Sequence, residues 1–332
     1  GTGADVAADS PLARHEWLAR RRPGGGSLLT VSGPGADVAA DSPLARHEWL
    51  AIAELSRVEA GPAGGSGALV RAAAPLDEAT ALAAGPTTEE STVLSWERAD
   101  GRIRARVERR LGAIVLSSTP SAPRPDEQEA FALARLADQG LGLDGPGLLR
   151  WSPAALALRD RLAFVHRVRQ DEWPDVSGPA LAGRAPAWLA GRLRTCTSTY
   201  DIDMAEALRE LLDWRLLAEL DTAAPERLPV PSGSRVRVRY PAAGTDGPPV
   251  LSVKLQECFG MTEGPRIAGA PVLMELLSPA RRPLALTDDL ASFWANVYPR
   301  VRAENRGRYP RHPWPQDPLT APPRRGTTRS GR

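Results

Sequence analysis

The chain has 332 residues, 42% hydrophobic and 25% charged, with a formal net charge of +2, which is a globular composition with room for two domains and excludes a disordered or fibrous chain. No apolar run approaches the roughly 20 residues that span a bilayer, the first residues lack the charged and apolar regions of a secretory leader, and the only cysteines, Cys196 and Cys258, lie far apart. A cytoplasmic protein with no membrane association is expected.

The stretch GADVAADSPLARHEWLA occurs at residues 3–19 and, without a mismatch, at 35–51. Repeating structural units drift in sequence while keeping a pattern, so one identical pair with unrelated flanks reads as a recent duplication. Residues 1–44 are expected to be a disordered or duplicated low-complexity segment, and deleting 1–40 should leave stability unchanged. From Trp49 the strands WLAIAELSRV and GALVRAAAPL lead to a short helix from Asp77 to Ala84, then to STVLSWERADG and RIRARVERRLGAIVLSSTP. Short strands closed by turns such as Ala99-Asp100-Gly101 predict an OB-like small β-barrel over 45–122.

PSAPRPD (120–126) reads as a linker into a helical subdomain, 123–228. One helix is capped by Asp126 and ends at Gly140; Ser152-Pro153 opens a second, with Leu156, Leu162, Val165 and Val168 inward. A third starts at Asp203, where Glu206 completes a capping box, and runs through Leu208, Leu211, Leu212 and Trp214. Alternation returns after Pro229 in SRVRVRY, PVLSVKLQECFG, PVLMELLSP and PLALT. A last helix, DDLASFWANVYPRVRAE, is capped by Asp288 or Asp289 and turns Leu290, Phe293, Trp294 and Val297 inward. Residues 229–318 form a mixed β/α C-terminal domain and 319–332 a disordered tail. The class is α+β.

Lys254 is the only lysine. It follows Val253 and precedes Leu255, so the chain contains no Gly-Lys-Ser/Thr phosphate loop. GLGLDG (140–145) has the spacing of a dinucleotide turn but follows a helix and runs into Pro146-Gly147, which makes it a loop. Two isolated cysteines and four scattered histidines supply no zinc site. Cys258 and His312 come with no oxyanion or nucleophile-elbow signature, so neither a metal nor a catalytic residue is assigned.

Heavy Ala, Gly, Pro and Arg usage points to GC-rich codons, so the placement of arginines says more than their number. In RIRARVER, Arg102, Arg104 and Arg106 alternate with Ile103 and Ala105 and share one strand face. In RVRVRY, Arg235, Arg237 and Arg239 stand about 7 Å apart on one face, and Lys254 on the next strand can lie alongside. Each row is either a solvated outer face or a track for a phosphate backbone. RGRYPRHPWPQDP (306–318) cannot continue a helix and forms an extended strap. Its Tyr309 and Trp314 either clamp onto the domain or stack on bases, with clamping favoured, while Arg306, Arg308 and Arg311 face phosphates.

PSGSRVRVRY, VLSVKLQECFGMTEGPRIAG, LLSPARRPLALTDDLASFW and RGRYPRHPWPQDP together resemble the C-terminal region of the HrpB-type DEAH-box ATP-dependent helicases of bacteria. Residues 45–225 resemble the preceding stretch of that family more loosely. The chain has the shorter GAPV where the family has Gly-Arg-Val-Pro, and PQDP where PEDP is usual. The resemblance implies a non-catalytic accessory region, inactive alone because the Walker A and DEAH motifs are missing; ATP and Mg²⁺ belong to the family's motor domains, and no cofactor is expected in this chain. It also implies single-stranded RNA or DNA and the motor domains, in cis or trans, as partners. The alternative is a protein-interaction module without direct nucleic-acid contact.

Overall fold

The computed structural model describes residues 17–23, 26–57, 68–143 and 145–326, which divide into two compact units, 1–124 and 125–332. In the first unit β1 (Leu18–Arg21), β2 (Ser27–Thr30), β3 (Gly35–Asp37), β4 (Trp49–Arg57) and β5 (Ala68–Leu76) close into a barrel in the order β1-β2-β3-β5-β4. A 3₁₀ turn, Pro43–Arg46, follows β3 and is capped by Ser42. Helix α1 (Glu78–Ala84) is capped by Asp77, whose carboxylate accepts the Thr80 N–H at 2.7 Å. Then β6 (Glu89–Glu97), β7 (Arg102–Leu111) and β8 (Ile114–Ser121) form a separate antiparallel sheet.

Alternation sets what fills the barrel: Ala19, Leu28, Ala36, Leu50, Ile52 and Val70 form one buried cluster. A second cluster, Leu18, Val31, Trp49, Ala81, Leu111 and Ile114, seats α1 and the β7–β8 hairpin against the barrel. Gly112 makes that hairpin possible, because its φ is +57° and a Cβ there would come within 2.4 Å of the Val31 carbonyl oxygen.

These strands correct two expectations. The barrel begins at β1, so the described residues 18–23 and 26–44 are part of the fold; the strands there have only three or four residues each, too few for alternation to register. The barrel also ends at β5, and β6 to β8 lie outside it. The ends of the two identical copies pair with each other, Leu18 opposite Ala51 and Ala19 opposite Leu50. The expectations for residues 1–16 and 327–332 lie outside the described residues.

The second unit opens with α2 (Pro125–Gln139), α3 (Pro153–Arg169), α4 (Gly178–Gly183), α5 (Ala185–Trp188), α6 (Ala190–Thr195), α7 (Met204–Arg209) and α8 (Trp214–Ala223). It continues with β9 (Arg227–Pro229), β10 (Arg235–Arg239), β11 (Val250–Lys254), the hairpin β12 (Arg266–Ile267) and β13 (Ala270–Pro271), then β14 (Leu273–Leu277) and β15 (Pro283–Thr287). The main sheet has the order β15-β14-β11-β10-β9. Helix α9 (Leu290–Ser292), capped by Asp289, runs through a π-helical turn, Phe293–Val297, into α10 (Tyr298–Asn305).

Four helix readings change. Asp126 lies within the first turn of α2 rather than capping it. On α3 the buried side chains are Ala155, Leu158, Arg161, Leu162, Phe164 and Val165, whereas Leu156 and Val168 are exposed. The expected third helix is two: α7 stops at Arg209, and Asp213 caps α8 by accepting the Leu216 N–H at 2.8 Å. That break turns Trp214 outward, where it is 82% exposed. The π turn widens the last helix and shifts its phase, so Tyr298 and Val301 are buried and Val297 is exposed.

Residue 228 is no boundary either. The Phe164 and Tyr240 rings stand 5.4 Å apart, and the Tyr240 hydroxyl donates to the Pro225 carbonyl at 2.8 Å, so helices and sheet share one core. The tail is tied back as far as it is described: Arg324 N–H donates to the Gln256 carbonyl and Gln256 Nε2 to the Gly326 carbonyl, both at 3.0 Å.

Candidate nucleic-acid interface

Strand β10 reads exposed, half-buried, exposed, buried, exposed from Arg235 to Arg239, so Val238 enters the core and the three arginines stand in solvent on the opposite face. On β9, Arg227 is directly opposite Arg237, and its Nη1 donates to the Arg235 carbonyl at 3.2 Å. On the other side Arg239 is opposite Val250; alternation along β11 then puts Ser252 and Lys254 on the same face. One sheet face thus carries Arg227, Arg235, Arg237, Arg239 and Lys254. Among the described residues no carboxylate lies within 4.0 Å of these five groups. The sheet's Glu275, opposite Ser252, takes the Ser252 hydroxyl instead.

Lys254 joins this row to the strap. Its charge, after burial, holds the His312 imidazole below the usual histidine range. His312 Nδ1 lies 3.0 Å from Gln256 Oε1; because the Gln256 amide nitrogen donates to Gly326, the imidazole carries its proton on Nδ1. The half-buried Trp314 donates its indole N–H to the Tyr309 carbonyl at 3.1 Å. The Trp314 carbonyl accepts from Arg302 at 2.8 Å, and the Pro315 carbonyl accepts from the Tyr298 hydroxyl at 2.8 Å. Arg306, Arg308 and Arg311 are exposed, and the Arg308 guanidinium lies 5.8 Å from the centre of the half-buried Tyr309 ring.

The row on β7 has a different environment. Arg102, Arg104 and Arg106 are exposed on one face, but Arg104 pairs with Asp100 at 2.8 Å, Arg102 lies 3.9 Å from the same carboxylate, and Arg106 donates to the Ser118 hydroxyl and carbonyl. Across the ladder Glu97 is opposite Arg102 and Glu89 opposite Arg110, while Arg110 pairs with Glu108 at 2.7 Å. Positive and negative groups interleave, so this face offers a phosphate chain little net attraction.

On the helix-facing side of β10, opposite the arginine row, lies a cavity of about 340 Å³ lined by α3, β10 and Glu226. Its floor is Arg161, 5% exposed, which donates to the Ala224 carbonyl at 2.7 Å, to Glu226 at 2.9 Å and to Asp221 at 2.7 Å. Asp160 accepts the Ala243 N–H at 2.8 Å, and burial raises its carboxyl above the ordinary range. Sequence reasoning passed over Arg227, Asp160, Arg161 and Glu226. Arg161 had a usable signal, since it interrupts the apolar stripe of Leu158, Leu162 and Val165.

Burial pushes the Cys258 thiol up to about 12, which makes it an inert core side chain. Among the described residues no group of three or more His, Cys, Asp or Glu side chains is placed to hold a metal ion. No helix among them is long and apolar enough to cross a membrane.

Residues 188–318 match the family described as ATP-dependent helicase C-terminal, and residues 88–121 match ATP-dependent RNA helicase HrpB, connector region. The second match covers the β6–β8 sheet and the first includes the β10 row and the strap. The chain is 37% identical over 245 residues to the ATP-dependent RNA helicase HrpB of Escherichia coli (strain K12), which is 71% of this chain and 29% of the relative. The chain therefore spans less than a third of that protein. A crystal structure of the E. coli DExH-box NTPase HrpB matches with a TM-score of 0.58 and 34% identity, covering 94% of this chain and 38% of that one. A crystal structure of the E. coli DEAH/RHA helicase HrpB matches with a TM-score of 0.51 and 32% identity over 91% of this chain and 37% of that one.

Proposed function

The chain belongs to the HrpB family of ATP-dependent helicases, of which it carries the connector and C-terminal regions, and from this premise we propose that it holds the backbone of a single nucleic-acid strand on the β9–β10–β11 face. The observation that carries the reading is the row of Arg227, Arg235, Arg237, Arg239 and Lys254, exposed or half-exposed on one face without a carboxylate partner among the described residues. Like charges held side by side repel one another, and a phosphate chain, with its regular negative charge, relieves that repulsion while releasing counterions. Backbone contacts read little sequence, so RNA is assigned through the helicase relatives rather than through the row itself.

In this reading the closed barrel is OB-like, the chain docks on helicase motor domains in cis or trans in the cytoplasm, and the strap adds phosphate contacts through Arg306, Arg308 and Arg311. The β7 row contributes less, because its arginines are already paired.

The test is a salt titration of single-strand binding. An Arg235→Ala/Arg237→Ala/Arg239→Ala variant should stay folded, bind more weakly and show a shallower dependence of log affinity on log salt, by about 0.7 for each phosphate that is no longer neutralised. An unchanged slope in the folded variant would remove the row from the interface and favour a protein-docking module.

A further inference from the structure

The sheet face that carries the arginine row continues past it, and its second half is apolar. Arg239 is opposite Val250 on β11, Val250 is opposite Leu273 on β14, and Lys254 is opposite Leu277. On β15, Leu286 is opposite Glu275 and, across a bulge, Pro283 is opposite Leu277. Residues directly opposite each other in a ladder share a face, so Val250, Leu273, Leu277, Pro283 and Leu286 lie on the arginine side of the sheet. The other side is closed, with Leu251, Val253, Met274 and Leu276 at most 2% exposed. The arginine side is open: Val250, Leu273 and Leu277 are half-buried, Pro283 is exposed, and Leu286 is 62% exposed.

This face is thus cationic on β9 and β10 and apolar toward β15, with β11 carrying both kinds of side chain. Neighbouring strands lie about 4.8 Å apart, which puts β14 roughly 10 Å from β10, a distance that one nucleotide spans from its phosphate to the far edge of its base. Between the row and Leu286 stands Glu275, whose carboxylate takes the Ser252 hydroxyl. Its charge repels phosphate and keeps a polyanion on the β9–β10 side. A plain polyanion would use the first half of the face and gain nothing from the second. A single nucleic-acid strand has both parts, a charged backbone and, projecting from it, bases with apolar faces. A duplex keeps its bases stacked inside and has no such faces to offer.

We propose that the β14–β15 half of the face seats the bases of the strand whose phosphates lie on the arginine row, with Leu286 as the outermost contact. The inference rests on the strand-binding reading and adds the orientation of the strand, backbone toward β9 and bases toward β15. Every base has an apolar face, so the seat selects unpaired bases without selecting a sequence.

The test uses the full chain and two dodecamers of equal charge, oligouridine and an abasic sugar-phosphate strand. Oligouridine should bind at least about 5-fold more tightly, which corresponds to roughly 40 Å² of apolar surface covered, with the same salt slope. Leu286 is exposed and both Thr and Tyr suit a strand, so Leu286→Thr and Leu286→Tyr should keep the wild-type thermal midpoint. Leu286→Thr should weaken oligouridine binding about 3-fold and leave the abasic strand unaffected. Leu286→Tyr, which supplies a ring for stacking, should tighten oligouridine binding alone, by about 5-fold or more. Equal affinity of the wild type for both strands, or a base-dependent advantage that neither Leu286 variant moves, overturns the base seat; the backbone track then stands, and the apolar half belongs to a protein partner. Failure of both strands to bind sinks the strand-binding reading, and the base seat with it.

Discussion

Arg237 and Arg227 face each other directly across the β9–β10 ladder, and both side chains are exposed on the same side. Like charges opposite each other in an antiparallel pair weaken it by about 0.2–1 kcal/mol. Arg237→Ala should therefore leave stability unchanged or slightly raised in urea unfolding, while weakening single-strand binding and its salt dependence. Arg104→Ala is the comparison, since Arg104 is paired with Asp100; its salt slope should match the wild type. A destabilised Arg237→Ala would show that the row has a structural anion or partner within the fold.

Arg161 ties the end of α8 to α3 from inside the core. Its removal leaves the fully buried Ala224 carbonyl without a donor, so Arg161→Ala should cost about 1–3 kcal/mol from that group alone. Asp221, although only 2.7 Å away, has a side chain 88% exposed, and Asp221→Asn should cost under about 1 kcal/mol. Chemical denaturation of the two variants separates the roles: equal losses would mean that the ion pair, rather than the carbonyl bond, holds α8.

Local chemistry was legible where one side chain decides the outcome. Asp77, Ser152 and Asp203 cap α1, α3 and α7 because each offers an oxygen to free backbone N–H groups, and RVRVR alternates as β10 does. Outcomes set by distant partners were not legible. The same tripeptide Trp-Leu-Ala appears at 17–19 and 49–51, yet Ala19 of one copy and Leu50 of the other fill the barrel, so identical sequence turns opposite faces inward according to its pairing. Asp213 was a second cap signal hidden by the continuing Leu208, Leu211, Leu212 pattern. For the candidate site, β10 and Lys254 were visible as alternation, but the Arg227 neighbour and the Asp160 wall depend on register and on α3 packing against β10. Neither leaves a trace in spacing.

The first unit gives a truncation test. Deleting residues 17–40 removes Leu18, Leu28 and Val31, all buried, each contributing about 1.5–3 kcal/mol. Their sum approaches the roughly 5–15 kcal/mol that stabilises a whole domain. Amide exchange in β4 and β5 should lose its protection in the truncated chain. Retained protection would mean that these strands are stable without the rest of the barrel.

The strap separates packing from charge. Trp314 is half-buried and bonded at both its indole N–H and its carbonyl, so Trp314→Ala should cost about 2 kcal/mol, roughly half the loss for a fully buried ring. The exposed Arg306, Arg308 and Arg311 should behave the other way: their joint replacement by Ala leaves the melting temperature unchanged and makes the salt slope of strand binding shallower. A triple variant with an unaltered slope would confine the strap to holding the sheet.

His312 makes the anchoring of the strap sensitive to acid. Burial, and next the neighbouring Lys254, lower its pKa below the usual 6.5, so the folded chain disfavours the proton that the unfolded chain accepts. By linkage, this contribution to stability is fully present above pH 6.5 and is lost as the pH falls from there through the lowered folded value. Protonation would put a charge into a partly buried site and a second cation beside Lys254 while the Nδ1–H keeps its bond to Gln256, so desolvation and then repulsion, rather than loss of that hydrogen bond, are the cause. Gln at position 312 can still donate to Gln256 Oε1 and does not titrate. The difference in thermal midpoint between wild type and His312→Gln should therefore be small at pH 8 and shift against the wild type as the pH falls from about 7 toward 5. A constant difference across that range would show that neither burial nor Lys254 lowers the His312 pKa in the folded chain, and that any acid sensitivity of the C-terminal unit arises elsewhere.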